Sequence, residues 1–221
     1  MILETRAVAP FYKNGFVVGC EDTREGVLID PGDEVGDLLA AVEKHRLSVR
    51  FILLTHAHID HITGVAAAKK ALDAPVVLHE GDLFLYKAIL QQGQMLGVPA
   101  APQPDVDLFY DGPGPWRFGH YGAWVSHTPG HCPGGVCLAI GREREPGRTL
   151  FVGDTLFAGS IGRVDLPGGD LQTLLRSIRH VLFAFPDDTI VYPGHGEPTT
   201  IGAEKRTNPF LSADLDSSRR R

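Results

Sequence analysis

Four side chains of metal-binding type lie within six consecutive residues of this sequence. They are His56, His58, Asp60 and His61. Alternate residues of an extended segment share a face, so His56 and His58 can point in the same direction. Imidazole and carboxylate groups together are typical ligands of Zn²⁺, Fe and Mn²⁺. The spacing therefore predicts a metal centre, because a set of merely solvated histidines would not need to be so dense.

Three later segments each carry one more metal-binding residue, directly after an apolar run. These residues are His131, Asp154 and His195, and each follows a glycine. Glycine in such a turn lets the backbone come close to a metal or a substrate. A tight loop at the end of a rigid strand also holds a ligand in place. We therefore predict that the three residues join the first cluster.

Hydrophobic spacing predicts the elements that position these residues. The apolar run 49–54 is typical of a buried strand, and it ends at the histidine cluster. Val35, Leu38, Leu39 and Val42 recur at the spacing of one helix face. Strands and helices recur in two halves, which predicts two sheets covered by helices. Further helices are expected over 65–72, 83–92 and 171–183, further strands at 16–18, 27–29, 76–78, 123–125, 136–140, 150–152 and 189–192, and an irregular excursion over 93–115.

Length and composition indicate one globular domain. The chain has 221 residues, of which 43% are hydrophobic and 22% charged. We expect a single domain over residues 1–211 and a flexible basic tail over residues 212–221. A net charge of -6 argues against a nucleic-acid partner, since such proteins present a basic face. No apolar run reaches the roughly 18 residues of a membrane span.

The N-terminal sequence and the cysteines indicate a cytoplasmic protein. The first residues lack the basic and apolar regions of a signal peptide. Cys20, Cys132 and Cys137 are odd in number and lack paired spacing, which argues against a disulfide framework or a cysteine zinc site. We therefore expect no membrane partner and no structural disulfide.

The sequence resembles the metallo-β-lactamase superfamily over nearly its whole length. Within it, the chain is similar to the short bacterial form of the glyoxalase II (hydroxyacylglutathione hydrolase) group. The resemblance implies an α/β fold, the αββα four-layer sandwich. It is carried by residues 56–61 and by Asp30-Pro31-Gly32, 128–131, 153–157, Gly162-Arg163 with Asp165, 193–196 and Asn208-Pro209-Phe210.

The same resemblance implies a division of the ligands between two divalent metal ions, Zn²⁺ in the first place, with Fe or Mn as alternatives. Asp60 and Asp154 become the catalytic residues: a hydroxide between the metals attacks a thioester such as a hydroxyacyl-glutathione, and Asp60 orients it. Arg163 either binds an anionic group of the substrate or forms a structural ion pair with Asp165. His56, His58 and His131 would hold one metal, Asp60, His61 and His195 the other, and Asp154 both.

Other functions remain open from the sequence. A persulfide dioxygenase with a single iron would use residues matching His56, His131 and Asp154, and residues 61–64 resemble that group. Lactone or phosphodiester hydrolysis is a further possibility within the superfamily. A non-catalytic binding module is disfavoured because it would have lost ligands, and none is missing here. Two features favour hydrolysis over the dioxygenase reaction: the long excursion between residues 83 and 116, and residues 193–198.

Several positions depart from the glyoxalase II pattern. Longer members carry C-terminal helices that help to bind glutathione, and we expect that part to be absent or minimal. Asp165 and Glu197 stand where those members have tyrosines, and acidic groups there would disfavour a glutathione carboxylate. Cys132 follows His131 and is expected to be structural. The same expectation, structural or surface, applies to His79, His120, His127 and His180.

Overall fold

A computed structural model describes residues 1–112, 114–142 and 145–212 of the chain. Except for Ser212, which ends the last helix, the predicted C-terminal tail lies outside these described residues. Within them, two mixed six-stranded sheets stand face to face.

The first sheet places its strands in chain order. Its first three strands are antiparallel neighbours and its last three continue in parallel. Parallel neighbours need a crossover, and each of the three crossovers of this sheet contains at least one helix. The strands are β1 (Ile2–Arg6), β2 (Gly15–Gly19), β3 (Glu25–Ile29), β4 (Ser48–Leu53), β5 (Val76–Leu78) and β6 (Leu108–Phe109).

The second sheet contains the strands of the second half of the chain. Its order is β14-β13-β10-β9-β8-β7, and only β10 and β13 pair in parallel. A separate small hairpin joins β11 (Leu156–Phe157) to β12 (Ser160–Ile161). The strands of the large sheet are β7 (Trp116–Phe118), β8 (Tyr121–His127), β9 (Val136–Arg142), β10 (Glu145–Gly153), β13 (Ile190–Pro193) and β14 (Thr199–Thr200).

Helices cover the outer face of each sheet. α1 begins at the predicted Val35 and buries Leu38 and Val42 against the first sheet. On the second sheet, the side chain of Asp170 caps α6 by accepting a hydrogen bond from the Thr173 amide at 2.7 Å. The helices are α1 (Val35–His45), α2 (Ile59–Ile62), α3 (Val65–Leu72), α4 (Leu83–Lys87), α5 (Ile89–Leu96), α6 (Leu171–His180), α7 (Ile201–Thr207) and α8 (Pro209–Ser212).

Three hydrophobic cores separate the four layers. In β10, Phe151 points between the sheets while Leu150 and Val152 point towards α6, as the two-residue period of a strand requires. The rings of Phe16 and Phe151 meet edge to face between the sheets, with centroids 4.9 Å apart. The predicted αββα sandwich is therefore confirmed.

Two predicted helices are shorter than expected. The helix predicted over 83–92 is broken at Ala88 into α4 and α5, because the Ala88 amide bonds the carbonyls of both Phe84 and Leu85 and so tightens the last turn. The helix predicted to reach Phe183 ends at His180, and a 3₁₀ turn, Leu182–Ala184, follows.

The N-terminal strand β1 was not predicted. Among the described residues, every helix is too short or too polar to cross a membrane.

The inter-sheet core gives a direct test of what holds the sandwich together. We expect Phe151→Ala to lower the free energy of unfolding by about 3–5 kcal/mol, because it removes a fully buried ring and leaves a cavity. Phe210→Ala is the matched control: Phe210 is 51% exposed, and its loss should cost about 0.5 kcal/mol or less. Denaturant unfolding monitored by circular dichroism measures both, and equal losses would contradict the assignment.

Candidate metal centre

The seven predicted ligands meet at the edge of the sandwich where β4, β8, β10 and β13 end. The first four follow β4, His131 lies in the loop after β8, Asp154 follows β10 and His195 follows β13. The imidazoles of His56, His58, His61 and His131 are buried, whereas Asp60, Asp154 and His195 are half-buried. The latter three line a cavity of about 220 Å³ together with His58 and His131.

One group of candidate ligands consists of His56, His58 and His131. One nitrogen from each lies within 4.8 Å of the others. His58 Nδ1 and His131 Nε2 are 2.8 Å apart. Three converging imidazoles are a typical donor set for Zn²⁺ and similar ions.

A second group consists of Asp60, His61 and His195. The Nε2 atom of His195 is 3.0 Å from Asp60 Oδ2, and that of His61 is 3.7 Å from the same oxygen. Their ligand atoms also lie within 4.8 Å of one another.

Asp154 lies between the two groups. Its Oδ1 atom is 3.4 Å from His61 Nε2. Its Oδ2 atom is 3.6 Å from both His131 Nε2 and His195 Nε2. One carboxylate therefore faces an imidazole of the first group and two of the second, which suits a residue shared by two cations.

Unpaired buried atoms are concentrated at this centre. Among the described side chains, five buried nitrogen or oxygen atoms have no hydrogen-bond partner. Thr189 Oγ1 lies outside the centre, and His58 Nε2 is turned away from it, because the Nδ1 atom of that ring is the one that approaches His131. The other three atoms are the Nε2 atoms of His56 and His61 and Asp154 Oδ1. Buried polar atoms without a partner are costly, and a bound cation would satisfy their lone pairs. The residues present therefore fit a metal ion.

The local electrostatics are also suited to a cation. Burial lowers the pKa of His58 to about 3, so its imidazole stays neutral and able to donate a lone pair. Burial opposes a charge on His61 as well, but the carboxylates of Asp60 and Asp154 outweigh it and raise the pKa of His61 to about 10. Carboxylates that stabilise a proton at this place would equally stabilise a metal ion.

Asp30 fixes the first cluster from behind. Its carboxylate accepts hydrogen bonds from the Thr55 amide at 2.7 Å and the Thr55 hydroxyl at 2.6 Å. His61 Nδ1 donates to the same carboxylate at 3.0 Å, which leaves Nε2 facing the centre. In the same way His131 Nδ1 donates to the Arg163 carbonyl at 2.7 Å. Partners of this kind orient metal-binding histidines.

Asp82 joins the two ligand loops of the first group. It lies in a 3₁₀ turn, Glu80–Asp82, and accepts from the amides of Ala57 at 3.1 Å and Gly134 at 2.5 Å. The thiol of Cys132 lies beside the Asp82 carboxylate. Burial, with the nearby charge of Asp82, raises the pKa of Cys132 well above its ordinary value. Cys132 therefore stays a thiol and belongs to the support of the loop.

Gln92 fixes the chain on both sides of His58. Its Oε1 accepts from the Ile59 amide at 3.0 Å, and its Nε2 donates to the Ala57 carbonyl at 3.0 Å. Nε2 also donates at 2.9 Å to the Leu85 carbonyl, which accepts a second hydrogen bond from the Ala88 amide at the break. The break between α4 and α5 thus connects directly to the metal centre.

The loop before β2 positions His195. The Asn14 amide donates to the Gly194 carbonyl at 2.6 Å, and its side chain donates to the carbonyls of Pro193 and Gly196 at 3.1 and 2.8 Å. A Cβ atom at Gly194 would lie 2.2 Å from Asp154 Oδ1, so glycine is needed for this close approach. Next to Asn14, the buried ammonium of Lys13 bonds the Asp30 carbonyl and the Glu34 carboxylate.

Sequence reasoning missed most of this support. The Asp30-Pro31-Gly32 turn is recognisable in the sequence without a role for Asp30, and no sequence pattern marks Asn14, Asp82 or Gln92. A polar residue directly after a buried strand was the available signal for Asp30. Nothing local marks the other three, because their partners are distant in sequence.

The remaining sequence predictions concern residues at the margin of the centre. The guanidinium of Arg163 pairs with both carboxylate oxygens of Asp165 at 2.7 Å, as the structural alternative requires, and Arg163 also lines the cavity. His79 and His127 stack on each other with centroids 4.2 Å apart. His120 and His180 are exposed. The structure places none of these four histidines in the two ligand groups described above.

The fold and the centre define a class of protein, and comparison with known families identifies it. The family model described as the metallo-beta-lactamase superfamily matches residues 8–195 of the chain. The chain belongs to this superfamily and is a metallo-hydrolase.

Several relatives are similar over almost their whole length. Hydroxyacylglutathione hydrolase GloC of Haemophilus influenzae is 35% identical over 96% of this chain and 99% of its own. The crystal structure of BLEG-1 B3 metallo-beta-lactamase has a TM-score of 0.86 and 36% identity, over 96% of this chain and 100% of that one. The structure of TTHA1623 in a di-iron-bound form has a TM-score of 0.81 and 41% identity, over 94% of this chain and 100% of that one.

The role of Asp30 can be tested by metal affinity. We expect Asp30→Asn to weaken metal binding about 10–100-fold, because the amide cannot accept all three hydrogen bonds that orient His61 and Thr55. The control is Asp33→Asn in the same turn, where the carboxylate accepts only from the Thr63 hydroxyl at 2.7 Å among its described side-chain bonds. Competition with a chelating indicator measures both variants. Equal affinities would show that Asp30 does not support the centre.

Proposed function

We propose that this metallo-hydrolase cleaves a small thioester, of which a hydroxyacyl-glutathione is one example. The observation that carries the proposal is Asp154, whose two oxygens lie within 3.6 Å of imidazoles from both ligand groups. The likeness to the relative named hydroxyacylglutathione hydrolase supports the thioester class.

Two divalent ions would be held by the ligand groups, Zn²⁺ in the first place, with Fe or Mn as alternatives. The likeness to TTHA1623 in its di-iron-bound form supports two ions. Bound ions would polarise the substrate carbonyl and lower the pKa of water towards neutrality. The proposed ligands are His56, His58 and His131 for one ion, Asp60, His61 and His195 for the other, and Asp154 for both.

Asp60 and Asp154 are the proposed catalytic residues. Both border the cavity in which the substrate carbonyl would lie. Asp60 orients the attacking water, and His195, 3.0 Å from Asp60 Oδ2, holds that carboxylate in place. The water oxygen bonds to the carbonyl carbon, the carbon–sulfur bond breaks, and the sulfur leaves as a thiol after taking up a proton. Arg163 is the proposed contact for an anionic group of the substrate.

A panel of substrates on protein of measured metal content tests this function. We expect hydrolysis of small thioesters with two metals per chain, and weaker or no hydrolysis of lactones and β-lactams. The second candidate is a persulfide dioxygenase with one iron, since His56, His131 and Asp154 also lie together. One iron per chain with oxygen uptake on glutathione persulfide, and no thioester cleavage, would establish that candidate instead.

The two catalytic carboxylates give a further test. We expect Asp60→Ala and Asp154→Ala to lower kcat/KM for the best thioester by at least about a hundredfold, because metal-assisted stabilisation of the transition state is worth several kcal/mol. Asp187→Asn is the control, since Asp187 is exposed and pairs with Lys205 at 2.8 Å. Circular dichroism checks that each variant is folded. Full activity in either alanine variant would remove the proposed mechanism.

A further inference from the structure

We propose that an apolar pocket beside the metal centre binds the apolar group of the thioester substrate. This inference rests on the proposed function and narrows its substrate class. The pocket, here called the α4–α5 pocket, has a volume of about 240 Å³. Its apolar lining is formed chiefly by Phe84, Ala88, Met95, Leu96, Leu166 and Pro167.

The α4–α5 pocket adjoins the cavity at the metal centre. Both are lined by His58, Gln92, Leu96 and Leu166. A substrate whose reacting carbonyl lies beside Asp60 and Asp154 can therefore extend past His58 into the pocket. Each space is smaller than the roughly 300–1,000 Å³ that drug-sized ligands occupy, which fits a small substrate with one short apolar arm.

The chemistry of the lining selects against a charged arm. Among the described residues that line the pocket there is no Asp, Glu, Lys or Arg. Glutathione carries carboxylates, and burying a carboxylate without a partner is costly. The nearest arginine at the centre, Arg163, is paired with Asp165 through two hydrogen bonds of 2.7 Å. A chain of CH₂ groups, in contrast, gains free energy from burial in the pocket.

The exposed apolar side chains around the pocket support an apolar occupant. Phe84 is 50% exposed, Met95 68% and Leu96 46%. Exposed apolar residues that gather at one place, rather than lying singly, mark binding surfaces. Here they surround a concave space next to a reactive centre, so a substrate arm would cover them.

The position of the pocket is fixed relative to the metal centre. Gln92 lines it and at the same time bonds the Ala57 carbonyl and the Ile59 amide on either side of His58. Ala88, at the break between α4 and α5, also faces it. An apolar substrate arm bound in the pocket would therefore help to orient the thioester carbonyl at the metal centre. We expect this orientation to raise kcat/KM.

The apolar arm can belong to either side of the thioester, and two substrate series distinguish the sources. One series lengthens a straight acyl chain on a single thiol, and the other lengthens a straight-chain thiol with a single acyl group. In one of them we expect kcat/KM to rise about fourfold for each added CH₂, equivalent to about 0.8 kcal/mol, until the pocket is full. Hydroxyacyl-glutathione should be a poorer substrate than the best apolar thioester.

Met95→Glu tests whether the pocket causes this dependence. A carboxylate at its edge should remove the gain with chain length. The control is Leu90→Glu in the same helix, because Leu90 is 44% exposed but lines a different groove. We expect this control to retain the gain.

Binding of straight-chain carboxylates to the metal-loaded protein supplies a readout without turnover. By calorimetry, affinity should increase from acetate to octanoate in the wild type and in Leu90→Glu, but not in Met95→Glu. That result without any thioester cleavage would support the pocket and refute the proposed function. Thioester cleavage without any dependence on chain length, in rate or in binding, would overturn the pocket alone. The pocket proposal would also be overturned if the wild type were a dimer that Met95→Glu converts to a monomer, with no dependence on the length of the substrate's alkyl chain. The apolar surface around the pocket would then be an interface with a second copy.

Discussion

Buried donor atoms that face one another without hydrogen-bond partners are the feature on which the rest of this structure depends. The Nε2 atoms of His56 and His61 and one oxygen of Asp154 are in this state at the centre. Each would be costly in an apolar interior, so a cation must balance them and a rigid frame must hold them until it binds. The four-layer sandwich is such a frame, since three separate cores immobilise the strand ends from which the ligands project.

The frame also joins the two halves of the chain across the centre. Asp82, from the first half, bonds the amides of Ala57 and Gly134, and so connects the loop of His56 and His58 with the loop of His131. Asn14 does the same for the loop of His195. These residues have no direct contact with the space between the ligands, yet they determine how closely the ligand groups approach. The geometry of the centre is thus a property of the whole sandwich.

The clustering of the candidate ligands could be predicted from the sequence because their residue types are rare at such spacing and because each lies just after an apolar run. The layers could be predicted because strand and helix periods differ, as Leu150, Phe151 and Val152 illustrate. The structure around the break at Ala88 could not, because the Gln92 side chain there also bonds the Ala57 carbonyl and the Ile59 amide, which are distant in sequence. The α4–α5 pocket was unpredictable for the same reason, since its lining comes from helices and a loop that are distant in sequence.

The choice of substrate follows from the surroundings of the centre rather than from its ligands. Arg163 is the side chain that could attract an anion, but Asp165 holds it through two hydrogen bonds. Such an exposed pair is worth only about 0–1 kcal/mol, so an anion could take Arg163 at little cost. Asp165 would nevertheless remain beside that anion and repel it. An apolar arm meets no such opposition in the α4–α5 pocket, and the balance between the two places favours a substrate that carries little negative charge.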